Sequence, residues 1–492
     1  MLRICISSFV FGVICCSLQA QPPLPGKPPF IFPSQKKDES EKDDSLPPAS
    51  VLRAFLDQTG EKPPSPDEIV SAIKQQLESD DVKQRLEALF AIENQTSADV
   101  TLSPKLNAML AGSEDPFERV LAASAALKTG TSDQQSALQS LSEGLRSEDP
   151  AVAVQAAIGL GKGGKESEDA LREALGDSRP SARALAAEVL GRIGSSSTGN
   201  ELADLLRDED PTVRRAAAKS LGTAGNQTSK DALIEAFKND SELSVRAHSA
   251  ASLVELGCSE PDQAELVDAM VGSDQRMSLA TMRAVANCKA PIDLRAELLG
   301  RALQKAQPLY AAELIGHLVD MEAPGMNALL RALEPKSSRY WAVVALSEFG
   351  SKASPAAEKL VELLNESTPD IKTEILFTLG NIDPSRRAVA PAVATEMNSR
   401  DNGVRYAATL SAIRLGLDDE TVQTRLRANR TSDDKVLALV SAFALAKLNP
   451  DQPRLGFDAM KALKDAIDSG DPRLKPLAEQ ALLDLKKNLP RL

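Results

Sequence analysis

At 492 residues the chain is long enough for roughly two to four globular domains, yet aromatics make up only 3% of it, which excludes a large ring-packed central core. Its formal net charge of −13, from 70 acidic and 57 basic residues, comes without a dense Lys/Arg run and argues against nucleic acid as the partner. The near absence of β-branched alternation excludes a sheet fold, whereas abundant Ala and Leu favour helices that pack closely.

The first element is a targeting segment. Met1-Leu2-Arg3 gives a short positive start, Ile4 to Leu18 is apolar, and Gln19-Ala20 precedes a Pro-rich polar stretch. This pattern predicts a secretory signal peptide over residues 1–20, with Leu18 a poor cleavage residue that leaves an uncleaved anchor as the alternative. Cys15 and Cys16 lack the preceding residues of a lipoprotein signal. No other stretch is apolar for long enough to span a bilayer.

Residues 21–65 read as a linker. Pro22-Pro23-Leu24-Pro25 favours extended geometry, and Lys36 to Asp44 is charged without an apolar face, so disorder is expected. A short helix is predicted at Val51–Gln58 before Pro63-Pro64 interrupts the chain.

From about residue 66 to 489 one pattern recurs. An Asp, often Asp-Pro, precedes a Val-Arg start, an Ala-rich run and a Leu-Gly close, clearest at Asp210 to Gly222 with Gly225 beyond. Other copies start at Asp115, Asp149, Asp177, Asp240, Asp274, Pro335, Pro369, Asp401, Asp433 and Asp471, mostly about 30–34 residues apart. Such a period predicts stacked helical hairpins. In each, a first helix such as Asn200–Arg207 or Asp231–Lys238 leads through an acidic turn to a second. Asp210 is placed to cap that second helix, Pro211 to occupy its first turn, and Gly222 and Gly225 to give left-handed or close-approach geometry at its end. Between Asp274 and Gly316 both Val-Arg and Leu-Gly are degraded, so repeat boundaries blur there while helices are still expected.

The Asp210 to Gly225 motif, with related copies at Asp149 to Gly164, Arg183 to Gly194, Arg246 to Gly257, Ser338 to Gly350 and Val404 to Gly416, resembles the HEAT-like repeat, in particular the short bacterial form named after phycobilisome lyases. The resemblance implies an all-α, right-handed α-solenoid (HEAT/armadillo-like) of about 12–13 hairpins whose second helices line a concave surface. A tetratricopeptide array lacks its Trp, Tyr and Phe signature here.

Candidate sites are few. The recurrent Arg183, Arg214, Arg246, Arg339 and Arg405 would form either a basic ladder for an anionic ligand or pairs with the recurrent Asp of their own or the next repeat. Tyr310, Tyr340 and Tyr406 share an anchor position, and Trp341 adjoins Tyr340; these four are candidate partner-binding residues, the alternative being that they pack between repeats. Cys258 and Cys288 sit at matching positions of neighbouring repeats and are a candidate disulfide in an oxidising compartment, although repeats about 10 Å apart strain the roughly 7 Å Cα limit. His248 and His317 make no zinc spacing, and no nucleophile elbow, haem motif or phosphate loop occurs, Gly161-Lys162-Gly163-Gly164 reading as a helix end. No cofactor, metal site or catalytic residue is expected.

The expected function is therefore an exported, non-enzymatic scaffold or adaptor that binds a protein partner, in a periplasmic, envelope or extracellular setting of a bacterial type. A subunit of a bilin-lyase-type enzyme and a self-associating envelope component are the alternatives.

Overall fold

The computed structural model describes residues 66–94, 99–130, 133–472 and 474–488. The signal peptide of residues 1–20, the linker of 21–65 and the helix expected at Val51–Gln58 lie outside the described residues. Among the described residues there is no strand. The described residues form thirteen successive helical hairpins, from Pro66–Leu77 with Val82–Asn94 to Pro453–Asp468 with Lys475–Asn488, and the fold is an all-α solenoid. The described chain divides into two compact units, one of residues 66–266 with 283–290, the other of 267–282 with 291–488.

The repeated motif acts first on each second helix. In Pro211–Ala224, Asp210 holds extended backbone and its carboxylate accepts the Thr212 N–H at 2.7 Å, while Pro211 occupies the first turn, where no N–H is needed. Asp115, Asp149 and Asp401 cap the helices Pro116–Thr129, Pro150–Gly163 and Asn402–Leu415 in the same way. Gly130, Gly194 and Gly416 end three second helices at φ of 72°, 73° and 61°, a region closed to most L-residues. Gly225 is different: its φ is −71°, so the left-handed option does not apply to it.

The Leu-Gly close has a packing cause. A Cβ on Gly191 would fall 2.7 Å from Ser220 Cα in the next repeat, and one on Gly222 would fall 2.9 Å from Ser252 Oγ. Second helices thus approach closely enough for side chains to reach the neighbouring backbone. Ser252 Oγ donates to the Ala218 carbonyl at 2.6 Å, and in the other unit Thr378 Oγ1 donates to the Val343 carbonyl at 3.1 Å. These two buried hydroxyls are satisfied in this way, while Ala and Leu fill most of the core. Where the motif fades, helices persist at Gln275–Asn287, Ile292–Lys305 and Pro308–Asp320.

Candidate interaction surface

A ladder of arginines and acids joins successive repeats. Arg183, on the helix Pro180–Ile193, donates backwards from Nη1 to the carbonyls of Asp177 (2.9 Å) and Ser178 (3.2 Å) in its own turn. Its Nε and Nη2 donate forwards to both carboxylate oxygens of Asp208, each at 2.8 Å. Asp208 also accepts the Asp210 N–H at 2.9 Å, so one carboxylate closes its own turn and receives the previous repeat. Burial pushes the Asp208 carboxyl up, but the hydrogen bonds from Arg183 and Asp210 outweigh it and hold the group below its usual range. Arg214 repeats the arrangement with the Asp208 and Glu209 carbonyls behind it and Asp240 ahead, and Arg85 does so with Glu118.

In the second unit Arg339 reaches back to the carbonyls of Leu333 and Glu334 and forward to Glu366 at 3.1 Å, and Lys372 meets Glu396 at 2.6 Å. Arg246 bonds only the Phe237 carbonyl, and Arg405 bonds the Asn402 side chain. Arg183, Arg214 and Arg339 are thus engaged within the fold, which corrects the basic-ladder option for an anionic ligand.

The aromatic row also needs correction as an exposed surface. Tyr310 and Tyr406 are 3% and 4% exposed, Trp341 is buried, and Tyr340 is half-buried with its ring 4.9 Å from that of Trp341 in an edge-on contact. The Tyr310 hydroxyl donates to the Gly272 carbonyl at 2.7 Å and the Tyr406 hydroxyl to Asp434 Oδ2, each in a neighbouring repeat. Rings placed among alanines fill space that Ala leaves, and their hydroxyls satisfy backbone or capping groups next door.

The candidate disulfide between Cys258 and Cys288 is not formed; both side chains are buried, and burial pushes the Cys258 thiol up. Cys288 Sγ donates to the Val285 carbonyl at 3.3 Å. His248 Nδ1 lies 2.7 Å from the Ser244 carbonyl, and His317 lies 3.6 Å from Glu313. Among the described residues no group of three or more His, Cys, Asp or Glu could hold a metal ion, and no helix is long and apolar enough to cross a membrane.

An open groove of about 780 Å³ lies between the helices Lys435–Leu448 and Pro453–Asp468 and the turns beside them. Leu439, Ala442, Ala462, Ala466 and Leu474 give it an apolar floor, and Leu439, Ala442 and Leu474 belong to the apolar cluster of the last two hairpins. Its rim is charged. Arg430 and Asp458 pair across it at 3.3 Å, and Lys435, Lys461, Asp465 and Asp471 complete it. Ala438, four residues after the cap Asp434, lines the groove at a place held by Arg183, Arg214 and Lys372 in three other repeats.

No curated protein sequence matches the chain. Solved structures similar to it include Kap121p bound to Pho4p (14% identity, TM-score 0.43, over 86% of this chain and 53% of that one) and Kap121p bound to Ste12p (15%, 0.43, 87% and 53%). An engineered protein is similar at 18% identity and a TM-score of 0.27, over 78% of this chain and 98% of that one. The chain spans about half the length of the Kap121p structures it matches. Residues 138–208 and 199–286 match the family model for HEAT repeats, over the stretch that holds Arg183, Arg214 and their acids.

Proposed function

We propose that this chain is an exported scaffold that captures a protein partner, and that the partner docks in the groove between Lys435–Leu448 and Pro453–Asp468. The observation that carries this reading is the groove's make-up: an apolar floor walled by two helices and rimmed by charges of both signs. Apolar floors supply affinity, and charged rims supply register and selectivity. The repeat ladder serves as the frame that holds such a surface rigid, since each hairpin is fixed by its neighbours. Export rests on the N-terminal sequence pattern alone, and the bacterial setting on the short form of the repeat.

Filling the groove tests the reading. Ala466 is half-buried on its wall, and Ala466→Trp places an indole into the open volume. The scaffold reading expects a protein recovered at fixed ratio with the wild-type chain from its native cells to be lost from the variant, with helical circular dichroism unchanged. Equal recovery by both chains would place the docking surface elsewhere.

A further inference from the structure

The first described hairpin carries an apolar stripe on its surface. On the helix Val82–Asn94, Val82, Leu86 and Phe90 stand four places apart and so fall on one face. Val82 and Phe90 are 40% and 43% exposed, and Leu86 is half-buried. The Phe117 ring, from the next hairpin, lies 6.4 Å from that of Phe90 and widens the stripe. Lys83 and Glu87 border it and pair with each other at 3.9 Å. Single exposed apolar residues are ordinary, but three in register beside a further ring make a continuous patch. A terminal hairpin also has a neighbouring hairpin on one side only, and arrays need a capping element there.

The chain that enters this hairpin carries a matching face. Pro66–Leu77 and Val82–Asn94 are joined by the short turn 78–81 and run antiparallel, so Pro66 stands at the Phe90 end of the stripe. Between Pro47-Pro48 and Pro63-Pro64 lies Val51-Leu52-Arg53-Ala54-Phe55-Leu56-Asp57-Gln58. Ser50 precedes it where a helix takes its cap, and Gly60 follows it where a helix ends. In a helix Val51, Leu52, Phe55 and Leu56 share one side, while Arg53 and Asp57 fall on the other. Eight helical residues measure about 12 Å, as does the rise from Val82 to Phe90, and residues 59–65 reach up to about 25 Å. The other apolar cluster of residues 21–65, Phe30-Ile31-Phe32, is bounded by Pro28-Pro29 and Pro33 and has no helical spacing.

We propose that Val51–Gln58 docks as a helix along the Val82-Leu86-Phe90 stripe of its own chain and closes the N-terminal end of the solenoid. A helix this short is unstable in water by itself, so it forms when the stripe shelters its apolar side. The brief tether of residues 59–65 gives it a high effective concentration, which favours the chain's own segment over that of a second copy.

The test is amide hydrogen exchange on the full chain, read by mass spectrometry. Residues 51–58 are expected to exchange about tenfold or more slowly than the same segment as a free peptide. Replacing the apolar side by Leu52→Gln with Phe55→Gln keeps good helix formers, and is expected to return 51–58 to the free-peptide rate. The same double variant should speed exchange over 82–90 and leave 211–224 unchanged. Phe90→Gln should release 51–58 equally; should it disturb the first hairpin, the double variant, which lies outside that hairpin, decides the matter. Free-peptide exchange of 51–58 in the unaltered chain would overturn the docking, as would protection that survives Phe90→Gln in a folded first hairpin. Protection that fades on about hundredfold dilution would assign the stripe to the segment of a second copy and overturn docking within one chain.

Discussion

Arg183 and Asp208 meet through two parallel hydrogen bonds of 2.8 Å across adjacent repeats, with side chains only 10% and 8% exposed. The pair explains why Asp and Arg recur in phase. The acid closes its own turn, and the arginine ties that turn to the one before it. Removing one member leaves the other buried without its counter-charge.

Arg183→Ala is accordingly expected to destabilise the two hairpins that flank it by about 3–5 kcal/mol. Because a repeat array need not unfold in one step, amide hydrogen exchange is the suitable readout. Protection should fall over residues 177–224 and stay near its original level over 435–488. A uniform loss along the chain would show that the pair does not act locally.

Acid should loosen the same joints. Asp177 is held below its usual value of 3.8 by hydrogen bonds from Arg179, with Arg146 adding to them. Asp208 is lowered in spite of its burial, and so is Glu118, whose bonds from Arg85 and Ser113 outweigh the cost of burial. Depressed carboxyl groups stabilise the fold fully above their unfolded values and lose that contribution as pH falls through their folded ones. Urea midpoints should therefore be flat at neutral pH and drop below about pH 4, and Asp208→Asn should flatten the drop.

Two glycines make a contrasting pair. A Cβ at Gly191 would press on the Ser220 backbone, so Gly191→Ala is expected to cost about 1–3 kcal/mol. Gly316 lies within the helix Pro308–Asp320 with nothing within 4 Å of its would-be Cβ, and Gly316→Ala should stabilise by about 0.5–1 kcal/mol. Denaturant melts of the two variants should move in opposite directions.

Tyr310, Trp341 and Tyr406 are buried between repeats. Tyr406→Phe removes the hydroxyl that bonds Asp434, which keeps its bonds to the Val436 and Leu437 N–H groups. A loss of about 1–2 kcal/mol in stability is expected, with partner capture unchanged at equal folded protein. Loss of capture without loss of stability would return Tyr406 to the interface.

Much of the fold was legible because the motif encodes geometry residue by residue. Asp210 caps, Pro211 starts the helix, and the Leu-Gly close marks where second helices touch. What the sequence left open was which of two uses each residue serves. Arg214 suits an aspartate of its own or the next repeat, or an anionic ligand, until Asp240 is seen at 2.8 Å. Tyr310 suits an interface or a gap until its hydroxyl is found on the Gly272 carbonyl. Gly225 was expected in left-handed or close-approach geometry and takes only the second, because its would-be Cβ meets the Leu221 carbonyl at 2.3 Å. The groove was hidden for another reason: its floor is made of Leu439, Ala442 and Ala466, residue types that fill the core in every other repeat.

Site-specific photo-cross-linking in the native cells tests docking in the groove most directly. A benzophenone amino acid at Ala466, on the groove wall, is compared with one at Lys219, exposed in the other unit. The scaffold account predicts one partner polypeptide joined from position 466, absent from position 219 and suppressed when Ala438→Arg is added. Cross-links from 219 alone, or from 466 only to further copies of this chain, would contradict it.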